Sequence, residues 1–271
     1  MQRPVKLIRD LANILSRLNA LDERSADTQI ELRQLASLLS IRDELPAIPP
    51  KHLQLRVAGA YKANFFEAGH EMIREIECIS NSNGESFLGS SNILDFGCGC
   101  GRILIPLSFL VPPGRLSGTD IDKHAIRWLD ANGPPFKDLT VNPVKPPTKY
   151  DDATFDFVLA LSVFTHLPEK MQRKWLGELS RIMKPGGLGL FTTHGEKQYA
   201  KLSEPAQQEL RTSGFHYSVG DATEGLPEFY QTSFQTHDYI KREWARYFEI
   251  VEIQKQGIAN NQDAVLVRKR S

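Results

Sequence analysis

Residues 93–103 read "ILDFGCGCGRI", an apolar run that ends in Asp95 and continues into Gly97, Gly99 and Gly101. Glycine lets backbone approach a ligand closely, and a helix N-terminus offers unpaired N–H groups and positive potential. A strand, a G-x-G-x-G turn and a helix together predict a crevice for a small ligand at the strand's carboxyl end. A second strand-like segment, "RLSGTD", ends in Asp120, and a carboxylate there can accept from both hydroxyls of a ribose. Asp122 reads as the cap of the helix that follows. Arg102 stands in the first turn after the glycines, where a cation opposes the helix dipole unless an anion compensates it. A pyrophosphate or a carboxylate would serve. The glycine spacing is not G-x-G-x-x-G, and no G-K-[ST] follows, so a P-loop is excluded.

Three histidines stand where an acceptor would arrive: His166, His194 and His237, the last in "FQTHDY" with Asp238 or another nearby carboxylate to orient it. An imidazole can act as a general base near neutral pH without large tuning. Cys98 and Cys100 form a C-x-C pair, but neither a second pair nor a histidine cluster lies at zinc spacing. They read as small residues of a tight loop, and the usage suits a reducing compartment. No carboxylate cluster points to a catalytic metal, so no metal site is expected.

The elements that must position these groups follow from the rhythm of the chain. From residue 92 onward, short apolar strands alternate with helices, which predicts parallel pairing with helices on both faces. "RILIPLSFL" reads as one of these helices. The segment 195–240 is polar and irregular. "YFEIVEIQ" and "DAVLVRK", separated by "GIANNQ", predict a closing antiparallel hairpin. Upstream, "LPAIPP" breaks a helical pattern whose heptad seam runs from Leu7 to Leu39 through Leu11, Ile14, Leu18, Leu21, Leu32 and Leu35, with a polar break at Ser25 and Thr28. The expected organisation is an N-terminal helical or coiled-coil arm (1–45), a helical cap segment (46–90) and a main domain (91–271) carrying a 195–240 insertion. The arm's seam offers homo-oligomerisation through residues 7–39, or weak membrane-surface contact through Arg3, Lys6, Arg9 and Arg17.

The stretch 93–192 resembles the class I S-adenosylmethionine-dependent methyltransferases. "LDFGCGCG" resembles their first motif and "GTDID" their second. "DATFDFVLALSVFTHLPE" resembles the fourth-strand motif with its loop, and "LSRIMKPGGLGLFTTHG" the helix, turn and fifth strand. The resemblance implies an α/β fold: a Rossmann-like, doubly wound, seven-stranded sheet, parallel apart from an antiparallel C-terminal strand. It implies S-adenosyl-L-methionine as cofactor. Gly97 and Gly99, with the adjoining loop through Gly101, would pass under its methionine portion, which Asp95 would hold. Asp120 would take the ribose hydroxyls, Ile121 and Asn142 would meet the adenine, and Ser162 would line the sulfonium. Arg102 is read, from the dipole argument, as partner of the methionine carboxylate.

The acceptor expected from sequence is a small molecule, saccharide or lipid-linked glycan, methylated at oxygen or nitrogen. Lys plus Arg equals Asp plus Glu, 33 each, so the basic excess of a dedicated nucleic-acid binder is missing. The fourth-strand motif reads "ALSV" and lacks the Asn/Asp-Pro-Pro-aromatic run that resembling enzymes use to hold a planar exocyclic amine. No nucleic-acid partner is expected on these grounds. Two rival readings are an NAD- or NADP-dependent oxidoreductase using the same crevice, and a non-catalytic scaffold. No run approaches the ~18 apolar residues of a membrane span, and the expected location is cytoplasmic.

Overall fold

The protein is seen in a computed structural model that describes residues 47–59, 61, 64–220, 223 and 225–271. The arm of residues 1–45, with its heptad seam and the association and membrane expectations attached to it, lies outside the described residues.

Helix α1 (Lys51–Ala58) starts after Pro49 and Pro50 and ends at Gly59, whose φ of 64° closes it in a left-handed cap. Helix α2 (Phe65–Ser82) buries Met72, Ile73, Ile76 and Ile79, spaced for one helix face. Strand β1 (Ile93–Phe96) is buried at every position. Residues 102–110, expected to be helical throughout, form only one turn, α3 (Leu104–Leu107), before the Ser108 hydroxyl bonds back to the Ile105 carbonyl. Strand β2 (Leu116–Asp120) is again wholly buried. Helix α4 (Lys123–Asn132) is capped by the Asp122 carboxylate, which accepts from the His124 amide. Strands β3 (Asp138–Val141) and β4 (Phe155–Ala160), helix α5 (Glu169–Ile182) and strand β5 (Met183–His194) complete the alternation.

The segment 195–240 is more ordered than its composition implies. It holds α6 (Glu196–Tyr199), α7 (Glu204–Ser213), a separate two-stranded sheet of β6 (Phe215–Ser218) and β7 (Thr232–Gln235), and the start of α8 (His237–Glu243). Phe215 and Phe234 are buried from these two strands. Strands β8 (Phe248–Ile258) and β9 (Gln262–Lys269) form the closing hairpin.

The main sheet has seven strands in the order β3-β2-β1-β4-β5-β9-β8. Pairings from β3 through β5 are parallel, and β9 runs antiparallel to both neighbours. One apolar cluster joins α2, α3 and α4 to one face of the sheet; the other joins α5 and α8 to the opposite face. The chain leaves β1 toward β2 and returns to pair on the other side through β4. That reversal places a crevice at the carboxyl ends of β1 and β2. Among the described residues no helix is long and apolar enough to cross a membrane.

Candidate active site

Two adjoining cavities open over the carboxyl edge of the sheet. The first, about 80 Å³, lies over the glycine loop and the ends of β1 and β2; the second, about 770 Å³, continues it toward the β8–β9 turn. Arg102, Ser162 and Tyr230 line both and form the passage between them.

The glycines divide into two kinds. Gly97 and Gly99, with φ of 84° and 53°, line the first cavity, and a Cβ on either would stand about 2.5 and 2.4 Å from Val163 and Val57 respectively. The missing side chains let those valines close on the loop, and Val57 brings α1 down as a roof. Gly101, φ 85°, is turned into the core, where a Cβ would meet Leu129 and Ile105. It does not line the cavity, so its place in the expected ligand cradle is corrected to packing.

Asp120 faces the first cavity. One carboxylate oxygen accepts from the Gly99 amide and the other from the Asp122 amide, each at 2.7 Å. A carboxylate offers about four lone-pair sites, so acceptor capacity remains for a diol. Burial raises its pKa to about 6 against the opposing pull of those amides. Asp95 is 2% exposed and lines neither cavity; it lies beneath the loop, raised to about 7 by burial, with the Arg102 charge pulling it down. Arg102 is half-buried, and its buried Nε has no hydrogen-bond partner. Burial pushes the guanidinium below its ordinary range while Asp95 supports it. Ile121 and Asn142 line the first cavity, and the Asn142 amide donates to the Pro143 carbonyl. Ser162 holds a φ of 59°, its amide donating to the Thr192 hydroxyl at 2.7 Å.

The three histidines part company. His166 lines the second cavity, with Nδ1 2.6 Å from the Gln231 carbonyl. A carbonyl only accepts, so Nδ1 carries the proton and Nε2 is the basic nitrogen. His194 donates from Nδ1 to the Ser233 carbonyl at 3.0 Å, lines neither cavity, and is pushed toward the neutral form by burial. His237 pairs through Nε2 with Asp263 at 2.7 Å, and it too lines neither cavity. Its partner comes from β9, not from the adjacent Asp238, because the first turn of α8 lays the ring against that strand. The expectation that His194 and His237 face the acceptor is corrected accordingly.

Sequence reasoning missed Tyr230. Its ring stacks on His166 with centroids 4.3 Å apart and planes 19° apart, and its hydroxyl donates to the Ser162 carbonyl at 3.3 Å. "PEFYQT" carries no periodic signal that would single it out. Arg56 was missed as well; it roofs the first cavity from α1 and pairs with Asp122 at 2.7 Å.

These features have the layout of a nucleoside cleft, and residues 94–188 match the family model described as a methyltransferase domain. Residues 94–188 are a methyltransferase domain of the class I S-adenosylmethionine-dependent kind. This methyltransferase is similar to the tRNA N(3)-methylcytidine methyltransferase of Schizosaccharomyces pombe, at 26% identity over 60% of this chain and 66% of the relative. It is also similar to the tRNA (carboxymethyluridine(34)-5-O)-methyltransferase of Arabidopsis thaliana, at 29% identity over 67% of this chain and 42% of the relative. The matches thus span less than two thirds of either relative's length. Among solved structures it resembles the magnesium protoporphyrin IX methyltransferase of Synechocystis PCC 6803 with bound SAH. That likeness, with TM-score 0.52 and 14% identity over 80% of this chain and 92% of the other, shows the fold.

The relatives overturn two expectations, the small-molecule or glycan acceptor and the lack of a nucleic-acid partner, because the proteins this methyltransferase resembles act on tRNA. The physical grounds for those expectations were too narrow. An Asn/Asp-Pro-Pro-aromatic run grips an exocyclic amine, whereas N(3) is a ring nitrogen and 5-O an oxygen. A net charge of zero constrains the whole molecule and leaves any one face free to be basic. The family match likewise displaces the oxidoreductase reading.

Proposed function

We propose that this methyltransferase moves a methyl group from S-adenosyl-L-methionine to a base of RNA, with tRNA as the substrate class. The observation that carries the proposal is the passage at Ser162, Tyr230 and Arg102, which joins a nucleoside-shaped cleft to a larger second cavity. The second cavity has a polar wall that includes Gln231, Thr232 and Asn261. The tRNA-directed relatives support the choice of acceptor.

The chain's own residues fit the cofactor. Asp120 accepts from the ribose hydroxyls, Gly97 and Gly99 admit the methionine portion, and Ile121 and Asn142 face the adenine. The unpartnered Nε of Arg102 takes the methionine carboxylate, and Asp95, one layer below, holds that guanidinium in place by charge. Bound S-adenosyl-L-methionine supplies a methyl group already activated on sulfur. What remains for the protein is alignment and the exclusion of water. Residues 46–90 act as the cap that excludes it, through α1 over the cleft. A base enters the second cavity only after leaving its stack. His166, protonated at Nδ1, receives a proton at Nε2 where the acceptor atom must lose one; a ring nitrogen with a lone pair needs no such step. The free, buried Cys98 and Cys100 fit a reducing, cytoplasmic setting.

The test is transfer of labelled methyl from S-adenosyl-L-methionine to bulk tRNA and, separately, to free nucleosides, followed by nuclease digestion to identify the modified base. Label in tRNA bases is expected, together with at least a tenfold loss of S-adenosylhomocysteine affinity in Asp120→Ala, or about 1.4 kcal/mol. Label only in free nucleosides, or none in either, would overturn the RNA reading.

A further inference from the structure

On the face of the sheet that α5 and α8 cover, three arginines converge on one buried carboxylate. Glu243, at the end of α8, has a side chain 7% exposed and lies 3.1 Å from Arg242, 3.3 Å from Arg246 and 3.5 Å from Arg173 of α5. One carboxylate balances one guanidinium. The three side chains nonetheless stay 57%, 58% and 40% exposed, so their charged heads remain open to solvent. Lys170, Lys174 and Lys241 are exposed on the same two helices. Apart from Glu178, which pairs with Arg181, the carboxylates on these two helices are Glu243, Glu169, which Arg173 reaches at 2.6 Å, and Asp238. Six cations therefore stand against three anions, in a chain whose formal charge is zero.

The helices that carry the cluster also frame the acceptor side. Helix α5 follows directly on His166 and Leu167, which line the second and first cavities. Helix α8 follows β7, whose Thr232 lines the second cavity. The Tyr239 hydroxyl donates to Glu169 at 2.9 Å and ties the two helices together at this point. Anchoring Glu243 alone would take a single arginine. Guanidinium groups held on a shared buried carboxylate are pre-oriented, and their planar forks match phosphate oxygens.

We infer that Arg173, Arg242 and Arg246, with the neighbouring lysines, form a docking surface for the phosphodiester backbone of the RNA whose base enters the second cavity. This inference rests on the RNA acceptor proposed above. Backbone contacts of this kind set register and supply affinity without reading sequence. They also make binding fall with salt.

The experiment uses the full chain and two variants, Arg242→Gln with Arg246→Gln, and Lys170→Gln with Lys174→Gln. Arg173 is left intact because it ties Glu169 to Glu243. Anisotropy of labelled tRNA is followed across a salt series, and S-adenosylhomocysteine affinity is measured in parallel as the check on folding. Each double variant should bind tRNA at least fivefold more weakly, with the slope of log K against log salt reduced by about 2, one for each cation removed. Cofactor-product affinity should not change. Unaltered tRNA affinity and slope in both variants, while the wild type methylates tRNA, would overturn the docking surface alone. A wild type that neither binds nor methylates tRNA would remove the RNA acceptor and the surface together. Weakened binding to an acidic polypeptide with unchanged binding to tRNA would reassign the surface to a protein partner and overturn the inference.

Discussion

Asp95 and Asp120 are carboxylic acids held in a place that disfavours their charge, and this has a defined signature. Their ordinary value is 3.8, and burial takes them to about 7 and about 6. Between about pH 4 and 7 the folded chain therefore binds more protons than the unfolded chain, so these groups make stability fall as pH rises through that window. Above both folded values the loss is complete. Below about pH 4 both states are protonated and the contribution vanishes. We expect Asp95→Asn to gain thermal stability relative to wild type as pH is raised from about 4 to 8, the difference growing most steeply between about pH 5 and 6 and levelling off above about 7. Melting of the ligand-free protein across that range checks it; a difference that stays flat with pH would show that Asp95 is not a buried acid. These residues were legible because each closes an apolar strand. Tyr230 was not, because nothing local distinguishes it from its aromatic neighbours Phe229 and Tyr217, and only the fold stacks it on His166.

At the level of elements, α1 is held over the cleft by Leu53 packed with Phe65, Cys100 and Ala125, by Val57 against the glycine loop and by Arg56 on Asp122. Asp122 also caps α4, so one carboxylate fastens the roof to the helix below it. The Arg56 and Asp122 side chains are 19% and 7% exposed. This shelter places the pair between a surface ion pair and a fully buried one. Arg56→Ala should speed release of S-adenosylhomocysteine several-fold and cost about 1–2 kcal/mol of folding stability. Stopped-flow displacement and urea unfolding read the two effects; an unchanged release rate would mean that α1 does not cover the ligand. The sequence showed a helical segment before the sheet but not its seat, since the contact is between residues more than forty apart. The carboxylate beside His237 was open in the sequence between Asp238 and another nearby one, because its partner Asp263 lies on β9, 26 positions along the chain.

The whole molecule is organised by a sheet whose parallel pairing could be anticipated from apolar strands alternating with helices, while its seven strands were implied by the family resemblance. The segment 195–240 resisted, since strands of four residues with mixed composition acquire their pairing from tertiary contacts. The face of the sheet under that segment is sealed by Trp244, wholly buried against Phe164 and Phe191 with ring centroids 5.1 and 6.0 Å away. Trp244→Ala should cost about 3–5 kcal/mol in urea unfolding, as large-to-small changes in a packed core do. A loss below about 1 kcal/mol would show that the α8 layer contributes little to the cooperative unit.

The carbonyl that fixes the His166 proton belongs to Gln231, and Gln231 is also part of the wall of the second cavity. Substrate range and imidazole tautomer are therefore inherited together in this architecture. A chimaera given a foreign stretch in place of residues 225–235 would acquire a new fit and, at the same stroke, a histidine with its proton on the wrong nitrogen.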